Sequence, residues 1–594
     1  MILFHKIPAT NRTAESEPCI RWFAALKICL LILAATSCRK DSQSSAEPEV
    51  TAPKFVMVDQ TTDLRAWLDD EIRSGAKKIV IPPGRYRVDS TKGAHLTLSG
   101  LRDVEIDATH VEMTCTSTSV ALKLDDCERV SVRGLTIDYN PLPFTQGSIV
   151  AMAPDKSWLE FEVADGYPED RLNERVQIYD PKTRELRRGD ARWSEDIKAV
   201  GARRYRVGKA QPYKFIKQRD TEQVGDILVT SNYNSPVGSH AVVATDCTNL
   251  RLEGITIYSS PCFGFLERSC NATTYLHCKI DRRAPDDDPV KRAQPRMRSL
   301  NADAFHSKYA VRGPAIVACT AFYQGDDCVN INGNYYYIAG ANGRQLRIAA
   351  LKEPTIRTGD QLEFLPFSGV RPPDNMAVDL QPDPMPVTAT EAALIFKLSI
   401  REETREAFLN GKAKFYTLTL AKEVDLAPGS LVCSGQRVGN DFSVRNCDFG
   451  HNRSRGILIK ASKGEVSGNR ITASRMAAVL ISPEFWWLEA ACSSHVLVAD
   501  NVISGCLESP VQINAAGGSR QILPAGAHRN ITLRGNRISD SVWPLIHVTS
   551  TSGLVIEGNS LPKHPPSFQP SRNDGAMPPP VLLEKCETQS DSPW

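Results

Sequence analysis

The chain has almost no excess charge. Its 71 Lys and Arg residues stand against 69 Asp and Glu, which excludes nucleic acid or an acidic polymer held by bulk attraction. It also lacks any Cys-x-x-Cys pair among its 16 cysteines, so a zinc finger or thiol redox centre has no ligand set to build on. Beyond the N-terminus there is no apolar run long enough to cross a bilayer. A length of 594 residues with 41% hydrophobic content is still ample for a large core.

The N-terminus has its own pattern. Arg21 and Lys27 precede the apolar run Ile28–Ala35, followed by Thr36, Ser37 and Cys38. Basic residues, a short apolar stretch and small residues form an export signal over 1–38. The residues before Cys38 resemble a bacterial lipoprotein box, with Ala35 in place of the usual leucine. That makes Cys38 the expected lipidation site and a lipid anchor the expected membrane contact, at the outer membrane or in the periplasmic or extracellular space. A plain cleaved signal is the alternative. Residues 39–58, rich in Ser, Glu and Pro, read as a tether. The 13 cysteines left after Cys19, Cys29 and Cys38 lack a disulfide-framework spacing and fall within apolar segments. They read as small buried hydrophobes, with room for one or two bridges.

One short phrase recurs: alternating apolar residues, Gly or Asn, then another apolar pair. It appears at Val130–Ile137, Leu250–Ile257, Val466–Ile471, Val496–Ile503, Ile531–Ile538 and Leu554–Leu561. Asn446 to Asn469 and Asn536 to Asn559 are each 23 residues, and the intervening steps are longer by a loop. Each phrase reads as strand, bend, strand, with Gly or Asn accepting left-handed backbone angles at the bend. Such short strands bury a core only by stacking. The pattern specifies an all-β chain, a right-handed parallel β-helix. A helical stripe over Thr62–Ser74 (Leu64, Trp67, Leu68, Ile72) precedes Ile79–Tyr86 and reads as a capping helix.

The period assigns β-helix to 59–145, 243–333 and 441–562, and a tail to 563–594. It breaks over 146–242 and 334–440. Gly-centred turns with alternating apolar residues there (Gly225–Val229, Gly359–Phe364, Gly429–Val432) read as two inserted β-barrel-like domains.

Asn301-Ala-Asp303 and Gly325-Asp326-Asp327-Cys328 carry three acids, with Asp303 and Asp326 23 residues apart, which is one coil. Adjacent coils lie about 4.8 Å apart, so this spacing stacks Asp303 beneath Asp326. Crowded carboxylates cannot all ionise, so one keeps a proton at neutral pH and can serve as an acid beside a base. Glycosidic cleavage needs that pairing. Solvated surface acids are the bland alternative; that reading fits Asp286–Asp288 better than the pair at 326–327, set in an apolar-patterned coil.

Together with Gly456-Ile-Leu-Ile-Lys460, these motifs resemble those of the polygalacturonase superfamily, glycoside hydrolase family 28. There Asn-Thr-Asp, Gly-Asp-Asp, Gly-His-Gly and Arg-Ile-Lys motifs line one cleft of a right-handed β-helix. The resemblance implies Asp326 as general acid, with Asp303 and Asp327 activating water and inverting the anomeric carbon. The chain departs from the pattern: no Gly-His-Gly follows the acids, and Leu458 stands in the place of the uronate-binding arginine. It is also similar to glycoside hydrolase family 110, exo-acting inverting enzymes that release terminal α-1,3-linked galactose and carry β-barrel insertions. The supporting segments are Asn301–His306, Gly313-Pro314 and Asp326–Asn332. The implied substrate is a neutral galactose-containing oligosaccharide or polysaccharide, and neither cofactor nor metal is expected.

Further candidates surround the acids. His306 is placed to bond a sugar hydroxyl or an acid, and Lys460 to bind a hydroxyl or tune the acids. Arg453 and Arg455 are weaker candidates. Trp486 and Trp487 lie in a loop where strand alternation does not demand aromatics, and sugar rings stack on such faces. Glu484 and Glu489 flank them. Two other functions fit the scaffold. A polysaccharide lyase or polygalacturonase-like enzyme would act on uronates, and a surface solenoid would bind glycans without cleaving them.

Overall fold

The computed structural model describes residues 58–187, 192–209, 221–232, 239–567 and 577–588. The export signal, Cys38 and nearly all of the tether lie outside the described residues. Among those described, no helix is long and apolar enough to cross a membrane.

The chain winds into a right-handed parallel β-helix of three long sheets. Two of the sheets hold 12 strands and the third holds 10. Successive coils pair in register: Val132 lies beside Leu252, Leu252 beside Tyr275, Tyr275 beside Ile316, and Ile316 beside Val444. Each strand is short, so its inward side chains gain burial only from the coils above and below. These inward residues form one continuous core, within which Phe265 and Phe305 stack at 5.0 Å. The helix Leu64–Arg73 precedes the first coil, N-capped by Asp63 and burying Leu64 and Leu68 in that core.

One bend in each coil shows how the sequence sets the stack. The left-handed residue is Gly134, Gly254, His277, Ala318, Asn446, Gly468, Asp500, Gly535 and Gly558 in turn. Asn469, Asn501, Asn536 and Asn559 therefore do not occupy the bend, contrary to the expectation from their spacing. Each follows the bend and points inward. The Asn469 backbone N–H and Nδ2 both donate to Asn501 Oδ1, Asn501 donates likewise to Asn536, and Asn536 to Asn559, all at 2.9–3.1 Å. Asparagine is selected because its carbonyl and amide satisfy backbone groups of neighbouring coils at a buried corner. In earlier coils the same position holds Leu135, Ile255, Cys278, Cys319 and Cys447. All 13 described cysteines are free thiols and 12 are buried, so they act as small apolar fillers and not as bridges.

Two insertions interrupt the winding. Strands between Thr145 and Thr230 form a seven-stranded antiparallel sheet whose pairing path, among the described residues, is open and shows no barrel closure. Strands between Tyr336 and Ser434 form a closed six-stranded barrel with two short helices, Ala389–Phe396 and Glu402–Leu409. The expected C-terminal tail is also partly corrected. Val581–Glu584 pairs with Ile546–Thr549, and Glu587–Thr588 pairs with Thr551–Glu557, adding one more coil.

Candidate active site

Three neighbouring strands of one sheet carry the site: Phe305–Lys308, Val329–Asn334 and Ile457–Ile459. Asp303, the Asp326-Asp327 pair and Arg453 with Arg455 sit at the corners leading into these strands, and Lys460 follows the third. Phe305 pairs with Val329, a step of 24 residues. Asp303 therefore aligns with Asp327, not with Asp326 as the 23-residue spacing implied, and the Ala304 N–H donates to the Asp327 carbonyl at 2.9 Å. The corner itself needs Gly325. A Cβ there would sit 2.5 Å from the Asn301 carbonyl oxygen.

Oxygens of Asp303, Asp326 and Asp327 all lie within 4.8 Å of one another. Among the described residues this is the only such acidic group able to share a cation, but the protein provides its own counter-charges. Arg453 Nη2 lies 2.5 Å from Asp326 Oδ1, and Arg175 Nη2 lies 3.9 Å from Asp326 Oδ2. The Arg455 backbone N–H donates to Asp327 Oδ1 at 2.8 Å, and its guanidinium Nε is 3.4 Å from the same oxygen.

These surroundings separate the three acids. Burial, reinforced by the charge of Asp326, pushes Asp303 well above the usual carboxylate range. Burial likewise raises Asp327 to about 7 against the pull of Arg455. Burial also opposes ionisation of Asp326, but Arg453, Arg175 and Arg455 outweigh it and hold that carboxyl below its usual value. The surroundings thus favour the negative charge on Asp326 and the proton on Asp303, with Asp327 exchanging its proton around neutrality, which differs from an Asp326 carrying the proton at rest. Asp326 is also the most accessible of the three, with 20% of its side chain exposed.

Asn301 does not face the cleft. Its Nδ2 donates to the carbonyls of Pro143 and Pro261, and its Oδ1 accepts from Arg298. His306 lies against the acids, with Nδ1 2.8 Å from Asp303 Oδ2. Its ring is stacked at 4.5 Å on Phe263, which stacks at 4.7 Å on His240. Burial lowers His306 to about 4, so the ring is neutral.

Of the two roles expected for Lys460, binding a sugar hydroxyl or tuning the acids, the geometry fits the second: the side chain is completely buried. Its Nζ is held by Glu489 Oε2 at 2.9 Å, Glu484 Oε2 at 3.0 Å and Asn330 Oδ1 at 3.3 Å. Two carboxylates already satisfy the ammonium, leaving it to orient its neighbours instead of binding substrate. Glu484 also accepts from Arg455 at 3.0 Å, joining this cluster to Asp327. Leu458 is buried, paired between Asn330 and Leu480. At Asp286–Asp288 only the first two are exposed; the Asp288 side chain is buried against Arg292 and Arg296.

Glu484 and Glu489 face each other across a four-residue turn, with backbone bonds of 3.0 and 3.1 Å. Phe485 and Leu488 turn inward, while Trp486 and Trp487 stand at the tip, about half exposed. The Arg401 guanidinium, from the barrel insert, covers the Trp487 ring at 4.7 Å. The base of the turn therefore belongs to the site, and its tryptophans to the surface above.

Arg175, which arrives from the first insert, carries no mark in the sequence. That insert is fixed to the solenoid beside the acids. Arg298 bonds both Gln177 and Asn301, and Glu185 meets His451 at 2.7 Å and Arg475 at 3.0 Å. Asn330 and Asn332 lay within the Asp326–Asn332 segment of the resemblance without a role of their own. They alternate with the core residues Val329 and Ile331, and polar residues on the outer face of a strand following paired acids are a usable signal. A cleft lined by Lys77, Asp103, Arg129 and Arg251 lies on another sheet and contains none of Asp303, Asp326 and Asp327.

A family model described as a right handed beta helix region matches residues 432–569. The chain is 28% identical over 160 residues to an alpha-1,3-galactosidase B of Bacteroides thetaiotaomicron, covering 25% of each chain. It is 24% identical over 576 residues to an alpha-1,3-galactosidase B of Akkermansia muciniphila, covering 86% of this chain and 66% of that protein. The chain thus spans between a quarter and about two thirds of the length of these curated relatives. Among solved structures, an endo-xylogalacturonan hydrolase from Aspergillus tubingensis matches at 11% identity with a TM-score of 0.41, covering 90% of this chain and all of that one.

Proposed function

We propose that this chain is a glycoside hydrolase acting on terminal α-linked galactose of glycans, exported and exo-acting, with inversion at the anomeric carbon. The observation that carries the reading is the acid triad itself: three carboxylates within 4.8 Å, driven to different protonation states by burial and by three arginines. Asp326, the accessible member, meets the glycosidic oxygen and delivers the proton that Asp303 and Asp327 store in the free protein. Once that proton has passed to the leaving group, the carboxylates left ionised take a proton from the attacking water.

A neutral sugar suits the way the site's cations are held. Arg175 and Arg453 meet Asp326, Arg455 meets Asp327 and Glu484, and Lys460 meets Glu484 and Glu489. Among the described residues these cations are already engaged by protein acids, so a uronate carboxylate would compete with an existing partner. The galactosidase names of the curated relatives support the same sugar.

The close spacing favours one alternative, retention. Paired carboxyls in retaining enzymes lie roughly 5–5.5 Å apart, against about 6.5–9.5 Å in inverting ones. With three acids, however, two can share a proton and hold one water while the third faces the leaving group. The decisive experiment incubates purified protein with α- and β-galactosides, N-acetylgalactosaminides and oligogalacturonates, following the first-formed anomer by NMR. β-Galactose released first from an α-galactoside supports the proposal; an unsaturated product, or inactivity on every substrate, overturns it.

A further inference from the structure

A chain of directed hydrogen bonds links Lys460 to Asp303, and its polarity follows from the charges at its start. Asn330 lies between Lys460 Nζ, 3.3 Å from its Oδ1, and Glu489 Oε2, 3.5 Å from its Nδ2. Turning the amide over would place its NH2 against the ammonium and its carbonyl against the carboxylate, two repulsions in a buried site. Asn330 Oδ1 therefore points to Lys460 and also accepts from Asn332 Nδ2 at 2.9 Å. Turning Asn332 over would set two carbonyl oxygens together, so its orientation is fixed in turn.

Asn332 Nδ2 also faces His306 Nε2 at 3.2 Å. A donor there requires Nε2 to be the unprotonated nitrogen. The hydrogen of a neutral His306 must then reside on Nδ1, 2.8 Å from Asp303 Oδ2. The stacked Phe263 holds the ring plane. Asp303 Oδ2 is thereby committed as an acceptor, and Oδ1 is left to hold the carboxyl proton.

We propose that Lys460, acting through Asn330 and Asn332, is a positioning residue that locks His306 in the Nδ1–H tautomer and so confines the exchangeable proton of Asp303 to Oδ1. The proposal rests on the reading of Asp303 as part of the proton-handling triad, although the tautomer itself does not depend on it. The relay explains why a lysine buried beyond reach of solvent stands beside the acids. It also accounts for the placement of Asn330 and Asn332, both buried, on the strand that follows the Asp326-Asp327 pair.

The test is 15N NMR of full-length protein labelled at histidine, with the His306 signals assigned by their loss in His306→Phe. In the wild type, His306 should show a protonated Nδ1 and a bare Nε2 throughout pH 5–8. A protonated Nε2 in the wild type overturns the proposal without any variant having to fold. Asn332→Leu should release the tautomer, and Lys460→Met should do the same while Lys460→Arg preserves it. In Asn332→Leu, kcat should fall about 10²-fold with KM changed less than about threefold, and the alkaline limb of the pH profile should move. An unchanged tautomer in both Asn332→Leu and Lys460→Met also overturns the proposal. If wild type cleaves no glycoside, the functional reading fails while the tautomer measurement still decides the relay.

Discussion

Arg175 Nη2 stands 3.9 Å from Asp326 Oδ2, so an antiparallel sheet inserted between two coils contributes charge to an acid carried by the solenoid. An opposite charge at about 4–6 Å lowers a carboxyl pKa by roughly 1–3 units; Arg453, closer to Asp326, takes the larger share. Replacing Arg175 by Gln should therefore raise Asp326 and move the acid limb of kcat/KM, where Asp326 takes up its proton, upward by about one pH unit. The check is a pH–rate profile of Arg175→Gln beside the wild type; superimposable profiles would show that the insert does not tune the acid.

Each of Asp303→Asn, Asp326→Asn and Asp327→Asn should lose about 10²–10⁴-fold in turnover while still binding a galactose-terminated oligosaccharide. Asparagine keeps the shape and one acceptor but cannot exchange a proton. Calorimetric titration beside turnover separates the two effects. A purely glycan-binding solenoid would show no turnover to lose. A calcium-dependent lyase would stop on addition of chelator, whereas activity here should persist because the counter-charges are Arg453, Arg455 and Arg175.

The solenoid was legible because its repeat is local: inward apolar residues and a left-handed corner recur whatever lies between coils. The same regularity misled at single-residue precision. Counting from Asp303 gave 23 residues to Asp326, but the strands pair Phe305 with Val329, and a corner with one extra residue leaves no trace in composition. Asn469 and its successors resemble turn formers because Asn so often is one; only the inward direction of the side chain reveals the ladder. Lys460 is marked by its motif but not by its role, since nothing local tells that Glu484 and Glu489 close over its ammonium. Arg175 lay beyond reach for the same reason: its partner is set by how an insert docks, not by neighbours in the chain.

The ladder makes a graded stability prediction. Asn501 is buried, accepts from Asn469 and donates to Val466 O and Asn536 Oδ1. Asn501→Ala leaves several buried groups unpaired, each costing about 1–3 kcal/mol, so a loss of roughly 3 kcal/mol is expected. Asn559, at the last rung and partly exposed, should cost about 1 kcal/mol when changed to Ala because water replaces its partners. Urea midpoints of the two variants measure the difference; equal losses would mean that the ladder does not act through burial.

The acid triad should also tilt stability with pH in an unusual direction. Asp327 is raised by burial to about 7 and Asp303 is raised well above its usual value, whereas an unfolded chain releases both protons near pH 4. Between about pH 4 and 7 the folded state therefore binds more protons than the unfolded state, and its stability falls as pH rises. Their contribution is fully present below the unfolded pKa and is lost as pH climbs through the folded one. Asp138 runs the other way: burial opposes its ionisation, but Arg296 and Arg283 hold it down at about 2, so its contribution is lost only in stronger acid, outside this window. Asp327→Asn removes one proton-linked cost while keeping an acceptor for the Arg455 N–H. Relative to wild type, Asp327→Asn should gain stability from pH 5 upward by about 1.4 kcal/mol per pH unit, levelling off once Asp327 ionises in the folded protein. Urea midpoints at pH 5 and pH 8 read that gain. A difference that stays constant with pH would mean that Asp327 is ionised in the folded protein across that range, and the stored proton would then have to be Asp303's alone.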